Sequence, residues 1–176
     1  YPSILGHLRN AVEEINEIGK YQFLVLCVDA DEVSIREREA EIHDFLKKYN
    51  IRLLGCELKI IVQNRAIETW FLGNQKIFTH TPSQKQLSRY VDFYNVREND
   101  PEKMGCYPGF NNHCGFHFQY LREIFKARNL KYSKINPGPV LELHYLEALI
   151  GRTQNSQHLA SLRTLLEFCQ RIRNNP

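Results

Sequence analysis

Apolar residues recur at helical spacing over Ile4, Leu5, Leu8, Val12 and Ile15, crowd into the unbroken run FLVLCV at 23–28, and return to helical spacing at Ile35, Ile42, Phe45, Leu46 and Tyr49. The first pattern predicts a helix capped by Ser3 and stopped near Gly19, where a residue without Cβ adopts the left-handed conformation that ends helices. The second has the length and β-branched content of a strand buried on both faces, as in parallel sheets, which makes Cys27 a small core residue. The third predicts a helix opened by the capping-box pair Ser34 and Glu37 and stopped near Asn50. A further extended run, 58–62, reaches Gln63 and Asn64, with Asn64 read as an N-cap, and a short helical pattern covers 65–72.

Strand, helix, strand, helix is the βαβ arrangement, whose right-handed crossover makes the two strands parallel and places their carboxyl ends on one edge. Ligands of open α/β sheets collect beyond that edge. Asp29 and Asp31 lie there, at the end of the first strand, and Glu68 falls in the first turn after the second. Three converging carboxylates suit a hard divalent cation such as Mg²⁺. Taken singly, each also has an ordinary explanation: solvated acids in a turn, and an acid favoured by the dipole of a helix's first turn.

Beyond Gly73 the rhythm weakens into a loop-rich insertion reaching about Gly115, with a helix expected from Ser83 to Tyr94 and a short one opening at Asp100-Pro101. From Phe116 the pattern is helical again, through Leu121, Ile124 and Phe125, then Val140 to Leu149 after Pro137-Gly138-Pro139, then Leu159 to Ile172. The tail from Arg171 is expected to fray. The organisation expected is an α/β core over 1–75 and a loop-rich, helical extension over 76–176 packed on the same domain.

Composition sharpens little of this. With 176 residues, 43% of them hydrophobic, the chain suffices for one core. A net charge of +3 neither demands nor excludes a nucleic-acid partner, because clustering of Lys and Arg matters more than their sum. No apolar window is long enough for a membrane span and no signal peptide opens the chain, so a cytoplasmic protein without a membrane partner is expected. Five cysteines without framework spacing suggest reduced thiols.

Two other clusters bear chemistry. Cys106, His113, Cys114 and His117 are zinc-type donors, but their spacing is irregular and lacks a C-x-x-C knuckle, so a loop that happens to contain them is preferred. Lys103, Arg122, Lys126, Lys131 and Lys134, interleaved with aromatic residues, are where a nucleic-acid track is sought, with a solvated helix face as the alternative. Lys134 and Asn136 are also within reach of the acidic edge if the fold turns them that way.

An apolar strand ending in D-x-D has three known uses. Asp29, Asp31 and Val33 match the D-x-D-x-[TV] of haloacid-dehalogenase-type phosphatases, but no paired-Asp motif follows. Nucleotide-sugar glycosyltransferases carry segments resembling VDADE, but after a nucleotide-binding half of several strands. The best match is the third: VDADE, then a helix, then IIVQNRAIETWFLGN, resembles Toprim-like proteins of bacterial defence loci. Arg65, Ile67, Glu68, Trp70 and Leu72 carry the resemblance, with Asp100, Pro101 and Lys103 in a D-P-x-K pattern. It implies an α/β Toprim-like parallel sheet flanked by helices, Mg²⁺ or Mn²⁺ on Asp29, Asp31 and Glu68, cleavage or rejoining of phosphodiesters, and often an ATPase partner. A non-catalytic interaction subunit of an ATPase complex, and an oligomer, are compatible with it. The family's first acidic motif, a glutamate after an N-terminal strand, has no counterpart before Asp29, since Glu13 and Glu14 fall in a helix. The resemblance therefore implies that this strand lies upstream of Tyr1 or that this copy is catalytically incomplete.

Overall fold

The computed structural model describes residues 4–78 and 84–174; the expected cap Ser3 and helix start Ser83 lie outside the described residues. Helix α1 (Ile4–Ile18) ends where Gly19 takes φ 64° and donates its amide to the Ile15 carbonyl. Strand β1 (Phe23–Asp29) follows, then α2 (Ile35–Lys48). Ser34 Oγ accepts from the Glu37 amide at 3.2 Å while Glu37 accepts from the Ser34 amide at 2.8 Å, which satisfies two of the orphan donors of a helix start. Asn50, at φ 51°, supplies the left-handed residue that stops α2. Strand β2 (Glu57–Gln63) lies parallel to β1, in register from Phe23 opposite Glu57 to Asp29 opposite Gln63.

The rest is helical: α3 (Ile67–Phe71), α4 (Lys85–Phe93), α5 (His113–Lys126), α6 (Leu143–Asn155) and α7 (Ala160–Asn174), with 3₁₀ turns at Gln75–Ile77, Pro101–Lys103 and Gly138–Leu141. Among the described residues the fold is mixed α/β, mostly helical, around a two-stranded parallel sheet. The helix expected to open at Pro137 is instead a 3₁₀ turn, and α6 starts at Leu143. Residues 171–174 continue α7 and do not fray, because Arg171 pairs with Glu57 at 2.6 Å and lies over the rings of Phe23 and Phe168.

The two strands are not equally buried, which corrects the reading of β1. Leu8 and Val12 of α1 and Ile42 of α2 pack against Leu26, Val28, Ile60 and Val62 on one face of the sheet. On the other face Ile61 enters a larger core with Trp70, Phe116, Tyr120, Tyr145 and Leu162. That core and α7 cover β2, whereas α7 reaches β1 mainly at Phe23, which meets Phe168 edge-on at 5.5 Å, so Val25 remains 40% exposed and Cys27 is exposed rather than a core residue.

The larger core is dense in aromatic rings. Tyr90, Tyr107, Phe110 and Phe116 meet at centroid separations of 5.0 to 6.5 Å, mostly edge to face, the geometry that adds roughly 0.5–1.5 kcal/mol per pair beyond area burial. Buried Arg152 ties α6 to the loops after α3 and α4 by donating to the carbonyls of Gly73, Val96 and Asn99 at 3.0, 2.8 and 2.7 Å.

Candidate functional site

The loops leaving β1 and β2 clasp each other. Ala30 donates its amide to the Gln63 carbonyl and Asp31 donates to the Arg65 carbonyl, each at 2.9 Å, while Arg65 Nη1 returns a bond to the Asp31 carbonyl at 3.2 Å. Asp31 and Arg65 both take the left-handed conformation, at φ 55° and 72°. Each costs on the order of 1 kcal/mol for a residue with a Cβ and persists because the cross-bonds hold it. The turn at Arg65 delays the helix, so α3 starts at Ile67. Asn64 is not its cap: the side-chain amide donates to the Glu102 carbonyl at 3.0 Å.

Glu68, in the first turn of α3, is 1% exposed. Its Oε1 accepts the Tyr132 hydroxyl at 3.0 Å and has Lys134 Nζ at 3.9 Å, whereas Oε2 is buried with no hydrogen-bond partner among the described residues. Asp29 faces it from the end of β1. Burial first, then repulsion from Glu68 and Asp31, pushes the Asp29 carboxyl up to about 6, against the pull of Lys134 and the Ile67 amide. The Glu68 charge is thus felt at Asp29, across the ends of the two parallel strands.

Asp31 is disposed differently. Its side chain is 61% exposed, held at 3.3 Å by Arg38, and accepts a weak bond from Cys114 Sγ at 3.7 Å. Burial, then Asp31 and Asp29, push the Cys114 thiol up to about 12, so it sits there as a protonated donor and not as a thiolate ligand or nucleophile. Among the described residues no three His, Cys, Asp or Glu side chains form a group shaped to hold a metal ion.

A closed cage of three protein donors is therefore not what this edge offers. Mg²⁺ is commonly held by one or two carboxylates and completed by waters and substrate oxygens. Asp29 and Glu68 fit that role on two observations: the repulsion of Asp29 by Glu68, which a cation would relieve, and the orphaned Oε2 of Glu68. An open pocket of about 430 Å³ is lined in part by Asp29, Asp31, Arg38 and Gln63, with Glu68 buried outside its lining.

The zinc-type residues do not gather. His113 and His117 share a face of α5, but His113 Nδ1 is 2.6 Å from Glu32 while buried His117 meets Thr69 Oγ1 at 2.8 Å. Burial and the neighbouring His113 push His117 down to about 3, so it is neutral. Cys106 Sγ lies against the Phe110 carbonyl at 3.6 Å.

The basic candidates divide three ways. Arg122, Lys126 and Lys131 line one pocket of about 520 Å³, which Tyr132 also lines. Lys134 stands beside Glu68. Lys103 belongs to neither, its charge bearing instead on His158.

No family model, curated protein or solved structure matches the chain. The site rests on its own geometry. Two of its supports were not singled out from sequence, Arg38 and Ser161, which accepts the Trp70 indole N–H at 2.7 Å and the Asn64 amide at 3.2 Å; Tyr132 stood out only as one of the aromatic residues among the basic ones. Ser161 had no visible signal, because its partners are 91 and 97 residues away.

Proposed function

We propose that the chain is a Mg²⁺- or Mn²⁺-dependent, Toprim-like nuclease or nuclease subunit acting on nucleic-acid phosphodiesters. The observation that carries this reading is the buried Glu68, one oxygen unpartnered, facing an Asp29 whose carboxyl is raised to about 6. Asp29 and Glu68 would hold the cation, with Asp31, kept in place by Arg38, beside them. Bound there, the metal supplies neutralisation of phosphate charge and activation of a water. Tyr132 fixes the rotamer of Glu68 by donating to Oε1, and Lys134 places a positive charge where a phosphate oxygen would arrive. Arg122, Lys126 and Lys131 receive the strand.

The resemblance of VDADE and of the Arg65–Leu72 segment to defence-associated proteins supports a place in bacterial anti-phage defence beside an ATPase partner, in the cytoplasm. Among the described residues no helix is long and apolar enough to cross a membrane. The engagement of Asp31 by Arg38 favours a second reading, a non-catalytic interaction subunit of an ATPase complex that retains the fold. A D-x-D phosphatase or glycosyltransferase has no such supporting contact.

Cleavage assays on single- and double-stranded DNA and RNA with Mg²⁺, Mn²⁺ or chelator separate these readings. The nuclease reading expects metal-dependent cleavage that is abolished in Asp29→Asn with Asp31→Asn. Cleavage unaffected by that double substitution, or nucleic-acid binding without turnover under any metal, overturns it.

A further inference from the structure

We propose that the pocket walled by Arg122, Lys126 and Lys131 is a phosphate subsite for an unpaired polynucleotide strand, delivering the neighbouring phosphodiester to Asp29 and Glu68. The inference rests on the nuclease reading for the word delivering, but not for the binding itself.

The pocket and the acidic edge share a wall. Tyr132 lines the pocket and its hydroxyl reaches Glu68 Oε1 at 3.0 Å, so one phenol ring separates the pocket from that carboxylate. Lys134, between the pocket residues Ser133 and Asn136 in the chain, stands 3.9 Å from Glu68.

The cations of the pocket are held loosely. Arg122 lies 5.5 Å over the Phe118 ring and makes a long 3.4 Å bond to Gln119; Lys126 has a 71% exposed side chain and a 3.9 Å contact to Glu123. Lys131 is exposed. Glu123 also lines the pocket and opposes an anion, but Gln119 Nε2 occupies its Oε1 at 2.8 Å, and three cations stand against the one carboxylate. The wall also offers Ser133 and Asn136 as neutral polar groups.

Shape and rim select the unpaired strand. A duplex presents its phosphates on a convex surface with the bases stacked away from the protein, a poor match to converging cations in a concavity of about 520 Å³. Leu130 on the pocket wall is 40% exposed, and Ile135, between Lys134 and the pocket residue Asn136, is 98% exposed. Apolar groups so placed gain nothing against a duplex exterior and gain contact area against the faces of unstacked bases.

The test is fluorescence anisotropy with labelled oligothymidylate and oligouridylate, and with a hairpin duplex of equal phosphate number, in chelator and over a range of salt. The proposal expects tighter binding of the single strands and a salt slope that falls by about two when Arg122, Lys126 and Lys131 are replaced together by Ala, since each phosphate contact on a single strand contributes about 0.7. Ile135→Ser should weaken single-strand binding several-fold without changing the slope. All four positions are on the surface, so unchanged melting temperatures certify the variants. An unaltered slope and affinity in the triple variant, or a duplex bound as tightly as single strands, overturns the subsite. Because no metal is present, the outcome is separate from the nuclease reading. Strand binding retained in Asp29→Asn but lost in the triple variant establishes the pocket whatever becomes of cleavage. Metal-dependent cleavage unaffected by the triple substitution leaves the nuclease and removes the pocket.

Discussion

Tyr132 and Glu68, 64 residues apart in the chain, meet in a buried hydrogen bond in which the phenol donates to Oε1 at 3.0 Å. Burial, then Glu68 and Asp29, hold the Tyr132 phenol well above its ordinary value, so it remains a donor throughout the physiological range. Tyr132→Phe leaves Glu68 without this partner and should cost about 1–3 kcal/mol of stability, the penalty of an unsatisfied buried group. Urea denaturation of the two proteins in chelator measures it; a change of only a few tenths would mean that the bond does not hold the carboxylate.

Removing the repulsion at the strand ends should have the opposite effect. Asp29→Asn keeps the shape of the side chain and deletes the charge that Glu68 and Asp31 oppose. Its melting temperature in chelator at pH 7 should exceed that of the parent protein. A lower value would show that the acids are not in conflict in the metal-free fold.

Acid titration of stability carries two contributions of opposite sign. The Asp29 pKa rises on folding from its ordinary 3.8 to about 6, so between these values the folded state holds the extra proton and stability falls as pH rises. The His117 pKa drops from 6.5 to about 3, so in that window the unfolded state holds the extra proton and stability is lost as pH falls. The two oppose each other between about pH 4 and 6. Between these values Asp29→Asn should therefore lose stability more steeply than the parent as pH falls, and His117→Gln should be displaced in the opposite direction, toward greater stability at the acid end; parallel profiles for all three proteins would contradict both assignments.

Ser161 joins α7 to the loop after β2. Its hydroxyl accepts from Trp70 Nε1 and the Asn64 amide and donates to Glu102 Oε1, while the Ser161 amide donates to the same carboxylate at 3.1 Å. Burial raises the Glu102 carboxyl against those bonds. Ser161→Ala should destabilise by about 1–3 kcal/mol through the orphaned indole and amide. Thermal unfolding is the check, and a neutral result would remove Ser161 from the scaffold of the site.

Much of this was legible along the chain because it is local. Gly19 and Asn50 stop their helices and Ser34 and Glu37 cap α2 through residues a few positions apart, and the βαβ rule brings the ends of β1 and β2, with Asp29 and Glu68, to one edge. What escaped is what tertiary packing decides. The run at 23–28 has the same letters whether one face or two is covered, and only the placement of α7 over β2 leaves Val25 and Cys27 in the open. The D-x-D spacing does not reveal that Asp31 turns toward Arg38 through a left-handed backbone. Five basic residues looked like one track; the fold puts three in a pocket, one at Glu68 and one beside His158.

The central claim is that Asp29 and Glu68 share a divalent cation, and thermal unfolding titrated with Mg²⁺ or Mn²⁺ tests it most directly. A metal that binds only the folded state adds about 2.7 kcal/mol at a hundredfold excess over Kd, a rise of several degrees for a domain of this size. The account predicts that rise in the parent protein and its loss in both Asp29→Asn and Glu68→Gln. An unchanged melting temperature in the parent protein, or an equal rise in the two variants, would contradict it.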